Sequence, residues 1–243
     1  LLRVDGKPLA ELIAPGHPLL EAVLDLTLER HSDVLRTGAV LVDPTNRVAE
    51  PRLLVLLEHA VTDARTDAGG NRRAVSRRFE FVELTEHGEP RPGGYAPYLD
   101  ARPASSAELA ALSPKLESIG CLNDELEGRA LDYGIDVLAA EHLAEVRVRT
   151  LARVAKVKAA VNSRLTREIN YWDHRATELQ LQADAGKSPR MNPARAAARA
   201  DDLQRRLHTR LNELEREAQL ASQPPVIAGA ALVVPASFIG GSV

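Results

Sequence analysis

Two long apolar stripes in the second half of the chain constrain its fold more than any other feature. Apolar or small residues recur at steps of three or four positions from Val146 to Ala183, and again from Ala200 to Ala221. Such spacing places these side chains on one face of an α-helix. The segment from Gly186 to Pro193 interrupts the pattern with residues that end helices. Two amphipathic helices joined by a short break predict an antiparallel helical hairpin, with arms of about 40 to 50 Å.

Shorter segments on both sides of the hairpin have the composition of β-strands. Runs rich in Val, Leu and Phe indicate four strands, at 38–43, 51–62, 74–85 and 226–234. Turn signals at 44–46 and 67–71 separate the first three, whose order and spacing predict an antiparallel meander with one face covered. Helical patterns run from Leu19 to His31, after Pro18, and from 123 to 140. The chain is therefore predicted to be α+β, an antiparallel sheet with packed helices and a long antiparallel helical hairpin, closed by a C-terminal strand.

The order of these segments predicts one module rather than separate domains. We predict a single module over residues 1–243, with a sheet-and-helix core at 15–135 and 224–236 and the hairpin at 140–222. The Pro-rich and Gly-rich stretch from Glu89 to Ser106 predicts a loop, which Tyr95 and Tyr98 are expected to hold against the core. Leu1 is not a methionine, and we therefore expect the chain to be part of a longer protein.

Composition and charge restrict the classes of function. Hydrophobic residues make up 44% and charged residues 27% of the chain, which is typical of a globular protein. The net charge is -3, whereas domains dedicated to nucleic acid usually have a basic excess. Any contact with nucleic acid must therefore come from a local patch. The single cysteine, Cys121, cannot form an intramolecular disulfide and is expected to be a small buried side chain. This fits a reducing compartment, and a cytoplasmic location is expected. No membrane partner is expected, because the apolar run from Val226 to Gly241 is too short to span a bilayer.

The sequence contains no motif that carries catalysis. A phosphate-binding loop is absent, since Gly186-Lys187-Ser188 supplies only its last three letters. His174 and Glu178 lie one helical turn apart, but two ligands without a third indicate an exposed helix face rather than a metal site. Glu58 and His59 are adjacent in a strand and would point to opposite faces, which argues against a shared acid–base role. We therefore predict no catalytic residue, no cofactor and no metal ligand in this chain.

Charge is more informative on the first arm of the hairpin. Between Glu145 and Arg175 there are eight basic and three acidic residues. The candidate contacts to nucleic acid or a partner are Arg149, Arg153, Lys156, Arg164, Lys187 and Arg190. A second basic cluster, Arg72-Arg73 with Arg77-Arg78, stands at the start of a strand. For both clusters two interpretations remain open: a solvated surface, or a contact with phosphate groups or a partner protein.

The order of the segments resembles one known family. Gly16-His17-Pro18-Leu19-Leu20, a helix, strands, a long hairpin and the closing strand Leu232-Val233-Val234 are similar to the C-terminal domain of the bacterial RNA-polymerase-associated Swi2/Snf2 ATPases. The stretches from Glu168 to Ala176 and from Pro224 to Pro235 resemble the tails of related helicase-like proteins, including the Snf2-type component of some phage-defence islands. The resemblance covers nearly the whole chain, although the segment from Asp63 to Gly120 departs from the polymerase-associated protein.

The resemblance implies two ATPase lobes upstream, which bind ATP and Mg and move on duplex nucleic acid. None of their motifs is in this chain, so no catalytic residue can be carried over. We expect a non-catalytic C-terminal accessory module that positions or regulates the motor lobes of the same protein or docks a partner, with DNA or RNA polymerase as possible partners. The alternative is a stand-alone coiled-coil interaction protein. The sequence leaves open the partner, DNA or RNA, the oligomeric state, and a role in transcription or in phage defence.

Overall fold

The structure is a computed structural model that describes residues 2–4, 7–10, 13, 17–31, 38–66 and 69–240. The strands are β1 (Leu2–Val4), β2 (Lys7–Ala10), β3 (Ala39–Asp43), β4 (Arg52–Thr66), β5 (Arg72–Leu84), β6 (Pro90–Pro92), β7 (Arg102–Pro103), β8 (Ala221–Ser222) and β9 (Val226–Pro235). The α-helices are α1 (Pro18–His31), α2 (Ser106–Leu112), α3 (Leu126–Tyr133), α4 (Ala140–Asp184), α5 (Pro193–Ala218) and α6 (Ala236–Ile239). Gly16 of the family-like motif and Asp67-Ala68 of the predicted turn lie outside the described residues.

The architecture confirms the α+β prediction, with a mostly antiparallel sheet, packed helices, a helical hairpin and a C-terminal strand. The chain divides into two compact units. The first unit takes the described residues of Leu1–Leu56, Phe81–Ala130 and Ile227–Val243, and the second takes those of Leu57–Glu80 and Leu131–Val226. Each unit therefore contains one part of β4 and one part of β5, and the hairpin belongs to the second unit.

A sheet forms the core of the first unit, in the strand order β6-β5-β4-β9-β3-β7. The closing strand β9 lies between β4 and β3 and runs parallel to β3, with Leu41 opposite Val233. The antiparallel meander predicted for β3, β4 and β5 is therefore interrupted, because β3 and β4 are not neighbours. Parallel neighbours need a long connection, and the chain between β3 and β9 supplies one. Val42, Val82 and Val233 are fully buried, in keeping with strands covered by side chains on the core side.

The predicted loop from Glu89 to Ser106 contains the short strands β6 and β7. The expectation that Tyr95 holds this segment to the core is wrong, because Tyr95 is 100% exposed. The backbone makes that contact instead: the Gly93 N–H donates to the Phe81 carbonyl oxygen at 2.7 Å. A Cβ at Gly93 would lie 2.7 Å from the Phe81 Cβ, so only glycine allows this approach. Tyr98 does pack on Phe81, with ring centroids 5.6 Å apart.

Two further sequence predictions concern burial in the first unit. Cys121 is buried, as predicted. Helix α1 forms where its pattern predicts, and it begins at Pro18, which lacks the N–H that a first helical turn leaves unpaired. Of its apolar side chains that the structure describes, however, none is buried, and Leu19, Val23 and Leu24 are each about half exposed. Periodicity therefore located this helix without determining whether its apolar face is covered.

The second unit contains the antiparallel hairpin of α4 and α5, as predicted. Helix α4 has 45 residues and α5 has 26, which correspond to lengths of about 67 Å and 39 Å. The first arm is longer than the predicted 40 to 50 Å because α4 runs without interruption from Ala140 to Asp184. A π-helical turn, Gly134–Ala139, precedes it and connects it to α3. The second arm begins with a side-chain cap, in which the Asn192 Oδ1 accepts from the Ala194 N–H at 2.9 Å.

The hairpin core follows the apolar stripes. Val146, Val154, Ile169 and Leu179 of α4 are buried, and no position of the first stripe is exposed. On α5 the fully buried leucines are Leu203 and Leu214, while Leu207 and Leu211 are only half buried.

Candidate nucleic-acid interface

The candidate basic residues of α4 lie along one exposed face of the helix. Arg149, Arg153 and Lys156 follow each other at steps of four and three residues, and Arg164 stands two turns further on. Arg149 Nη2 lies 3.2 Å from Glu145 Oε1, and Arg164 Nε lies 3.2 Å from Glu168 Oε1. These are exposed pairs within one helix, which leave most of each guanidinium open to solvent. Lys156 has no ion pair in the described part of the chain.

Arg153 has a second role that the sequence did not indicate. Its Nη1 lies 2.9 Å from Oε2 of Glu217, a carboxylate of α5 with only 3% of its side chain exposed. Arg65 of β4 holds the other oxygen of Glu217 at 2.7 Å and is itself held by the buried Asp63 at 2.6 Å. The neighbouring Arg210 approaches to 3.6 Å. We call these five residues the Glu217 cluster, which ties α4, α5 and β4 together.

The remaining candidates, Lys187 and Arg190, lie at the other end of α4. Both are exposed, and neither forms an ion pair within the residues that the structure describes. About 31 residues of helix and turn separate Lys187 from Lys156, which corresponds to roughly 45 Å. The structure therefore brings Arg149, Arg153 and Lys156 together, but it places Lys187 and Arg190 in a separate patch.

The second basic cluster, on β5, is divided between the two faces of the strand. Arg77 pairs with Glu58 at 2.9 Å, whereas Arg78 pairs with Glu145 of α4. Strand alternation predicts this division. The same alternation separates Glu58 from His59, as expected, since Glu58 is partly exposed and the side chain of His59 is fully buried.

His59 takes part in a buried polar network that the sequence analysis missed. His59 Nε2 lies 2.9 Å from Glu80 Oε2, and His59 Nδ1 lies 3.2 Å from Nδ1 of His142 in α4. His142 Nε2 then lies 2.7 Å from the hydroxyl of Ser76. We call Ser76, Glu80, His59 and His142 the histidine network. His142 is 66 residues from Ser76 and 83 from His59, so no local motif could have shown the contact.

The chemistry of the partners sets the direction of one of these hydrogen bonds. The Glu80 carboxylate can only accept, so His59 Nε2 donates to it. The directions of the two remaining contacts depend on the tautomer of each ring. In the tautomer in which His59 Nδ1 accepts from His142 Nδ1, His142 Nε2 accepts the Ser76 hydroxyl hydrogen. Burial lowers the pKa of His142, and the positive charge of Arg78 and the proximity of His59 act in the same direction, against the opposing effect of Glu80 and Glu145.

An open cleft lies beside Ser76, between β5 and α4. Its volume is about 360 Å³. Its lining consists of two positions of β5 and four of α4, namely Val75, Ser76, Val146, Arg149, Thr150 and Arg153. Ser76 is half buried, so its hydroxyl joins the buried network to the open cleft. Two guanidinium groups and two hydroxyl groups around one cleft form a set of donors that suits an anion.

The positions that the sequence analysis rejected as metal or nucleotide sites lie elsewhere. His174 Nε2 is 3.4 Å from Glu178 Oε1 on the exposed surface of α4, and Arg175 also binds that carboxylate, at 3.0 Å. In the described ranges no group of three or more His, Cys, Asp or Glu could hold a metal ion. Gly186, with a φ of 76°, ends α4 in the left-handed conformation, so Gly186-Lys187-Ser188 is a helix end.

Comparison with known proteins does not assign the chain to a family. No protein-family model matches it, and no curated protein matches it significantly. Among the described helices, none has both the length and the apolar character that crossing a bilayer requires.

Proposed function

We propose that this chain is a non-catalytic C-terminal accessory module of a Swi2/Snf2-family, nucleic-acid-dependent ATPase. The long hairpin positions or regulates the motor, and the basic face of α4 contacts the nucleic acid that the motor holds. The order of segments along the sequence supports the family, and the hairpin supports the mode of action. ATP and Mg belong to the motor lobes in this proposal, and the location is cytoplasmic.

The observation that carries the proposal is an exposed basic face on a rigid helix in a chain with an overall charge of -3. A helix of 45 residues can hold a row of cations at fixed spacing over tens of ångströms, which a loop cannot. Its positive charge is local, so the field attracts phosphate groups to one side of the hairpin only.

Binding of a fluorescent DNA duplex tests the contact. We expect the triple variant Arg149→Gln, Lys156→Gln and Arg164→Gln to bind at least about tenfold more weakly, since each cation contributes to the electrostatic part of the affinity. Arg153 is left unchanged because its loss would disturb the Glu217 cluster. The matched control is the triple variant Arg199→Gln, Arg205→Gln and Arg206→Gln on α5, which changes the net charge equally. Equal weakening by both variants would contradict a contact through α4.

Two observations test the link to a motor. The open reading frame around this chain should encode a phosphate-binding loop and its partner motifs upstream, and their absence would overturn the proposal. The purified chain should hydrolyse no ATP, because its sequence has no phosphate-binding loop. A steady ATPase rate that a point substitution in this chain abolishes would show that the module is itself catalytic.

The alternative, a stand-alone coiled-coil interaction protein, is favoured by one observation. Val148, Leu151, Tyr171 and Leu181 are exposed apolar side chains of α4, with Val148 71% exposed. Such residues could pack against another helix. If the open reading frame ends without a motor and the chain self-associates or binds a helical partner through these residues, this alternative replaces the first proposal.

A further inference from the structure

We propose that the cleft between β5 and α4 binds one phosphate group through Arg149, Arg153 and the Ser76 hydroxyl, and that binding is coupled to uptake of a proton by His142. The inference names the ligand group and the pocket for the nucleic-acid contact proposed above, and in that respect it rests on that proposal. Its distinguishing feature is a buried proton-accepting network that opens onto a surface lined by cations.

The two arginines have unused donors in the cleft. Each guanidinium has five N–H groups, and the ion pairs of Arg149 with Glu145 and of Arg153 with Glu217 each engage one nitrogen. Their side chains are 63% and 51% exposed, so they can turn remaining donors towards a ligand. A phosphate group suits these donors, because a guanidinium group can bind two of its oxygens at once through two parallel, short hydrogen bonds.

Ser76 connects the ligand to the proton on His142. In the tautomer of neutral His142 that donates to His59, Nε2 accepts the hydrogen of the Ser76 hydroxyl, whose oxygen lies 2.7 Å away, and only the oxygen lone pairs remain for a ligand in the cleft. These lone pairs repel an anion. When Nε2 takes up a proton, the imidazolium donates to the Ser76 oxygen, and the hydroxyl hydrogen becomes free to bind a phosphate oxygen. Protonation also adds one positive charge, separated from the ligand by the Ser76 hydroxyl. Anion binding and protonation therefore favour each other, and by linkage each strengthens the other equally.

The charged groups around His142 allow this coupling. Arg78 and Glu80 face it from β5, Glu145 from its own helix, and His59 from β4. Arg78 is paired with both Glu145 and Glu80, so its repulsion of a protonated His142 is partly compensated. Burial keeps the pKa of His142 below its usual value in the empty cleft, which leaves the proton site vacant near neutral pH until an anion is present.

The ligand could come from a nucleic-acid backbone or from free phosphate, and one set of titrations separates these sources. Sulfate is the first probe, since its charge does not change over the pH range used. Its affinity is measured by NMR at about pH 7.5 and about pH 5.5, with the imidazole nitrogens of His142 as the reporter. A DNA duplex is the second probe, at the same two pH values.

We expect sulfate to bind about tenfold more tightly at the lower pH. A tenfold change in affinity corresponds to a rise of about one unit in the pKa of His142 when sulfate binds. Sulfate should also shift the His142 imidazole signals towards the protonated form. Ser76→Ala should remove most of this pH dependence and weaken binding about tenfold, as expected for a hydrogen bond to a charged group. The control Ser163→Ala removes an exposed hydroxyl on α4 outside the cleft and should change nothing.

The outcomes separate this inference from the proposed function. If Ser76→Ala weakens both sulfate and duplex binding, the cleft holds a backbone phosphate. If it weakens sulfate binding alone, the cleft is a site for free phosphate and the inference stands without the nucleic-acid contact. Equal sulfate affinity at both pH values, or equal behaviour of Ser76→Ala and Ser163→Ala, would overturn the inference even if the duplex binds along α4. His142→Gln adds a second test where it folds, since it should abolish the proton uptake.

Discussion

The two ends of the helical hairpin are stabilised by different interactions. We call residues 140–158 and 210–218 the base, and residues 159–184 and 193–209 the distal part. The base buries polar groups, including His142, Thr150 and Glu217, whereas every buried residue of the distal part is apolar. Ion pairs of the distal part lie on the surface and join residues of one helix, as between Arg164 and Glu168.

This contrast shows what each end can do. The distal part is a pair of packed antiparallel helices, whose buried residues are apolar and whose charges remain available to solvent. At the base, Glu217 of α5 binds Arg153 of α4 and Arg65 of β4. His142 of α4 contacts His59 of β4, so polar contacts join α4, α5 and β4. We expect the base to set the direction of the arm and to contain any site that responds to pH or to anions.

Removing an apolar side chain should have the largest effect on stability. Leu203→Ala in the distal part leaves a cavity at a residue that is 1% exposed, and we expect the free energy of unfolding to fall by about 2 to 5 kcal/mol. Urea denaturation measures this change. Leu181→Ala, at a position that is 65% exposed, is the matched control and should change stability by less than about 0.5 kcal/mol. Similar effects of the two substitutions would contradict the assigned hairpin core.

Breaking the Glu217 cluster should have the next largest effect on the free energy of unfolding. Loss of one partner from a fully buried ion pair costs about 3 to 5 kcal/mol, and we expect Glu217→Gln to cost about 2 kcal/mol because Arg65 and Arg153 are partly hydrated. The control Glu215→Gln changes another glutamate of α5. It removes the exposed pair with Lys158 of α4 and should cost less than about 1 kcal/mol. If both substitutions have the same effect, the base does not depend on buried charge.

The histidine network should make stability depend on pH. The folded chain favours neutral His142, so its pKa is lower in the folded than in the unfolded state, where it is near 6.5. Unfolding therefore takes up a proton below pH 6.5, and the free energy of unfolding should fall as the pH drops from 6.5 towards the lower folded-state pKa. His142→Gln should flatten this dependence, whereas His174→Gln, at an exposed histidine, should leave it unchanged. A slope that persists in His142→Gln would assign it to other groups.

The smallest effect is expected from the surface pairs of the distal part. Glu168→Gln breaks the pair with Arg164 and should change the free energy of unfolding by no more than about 0.5 kcal/mol. A loss above about 1.5 kcal/mol would show that surface charge stabilises the distal part, and the contrast with the base would disappear.

The sequence predicted the distal part well and the base poorly, for a physical reason. Helical periodicity is a local property, so the stripes and the break at Gly186 were sufficient to predict the hairpin. The contacts of the base join residues far apart in the chain, such as His59 with His142 and Arg65 with Glu217. No local pattern indicates which of several arginines pairs with a buried glutamate, or that two histidines 83 residues apart meet.

The candidate site shows the same limit. The basic character of α4 could be read from composition, and Arg149, Lys156 and Arg164 are exposed as a contact surface requires. That Arg153 also holds Glu217 became apparent only from the fold. The cleft beside Ser76 likewise depends on β5 lying next to α4, which spacing along the chain does not encode.

The salt dependence of duplex binding tests the central claim most directly. If α4 contacts phosphate groups, the logarithm of the affinity should fall linearly with the logarithm of the salt concentration, with a slope of about -0.9 for each cation engaged. Neutralising Arg149, Lys156 and Arg164 should then reduce the steepness of this slope by up to about 3, while the α5 control variant keeps the original slope. Identical slopes for the unchanged chain and the α4 variant, with both folded, would contradict a nucleic-acid contact along this helix.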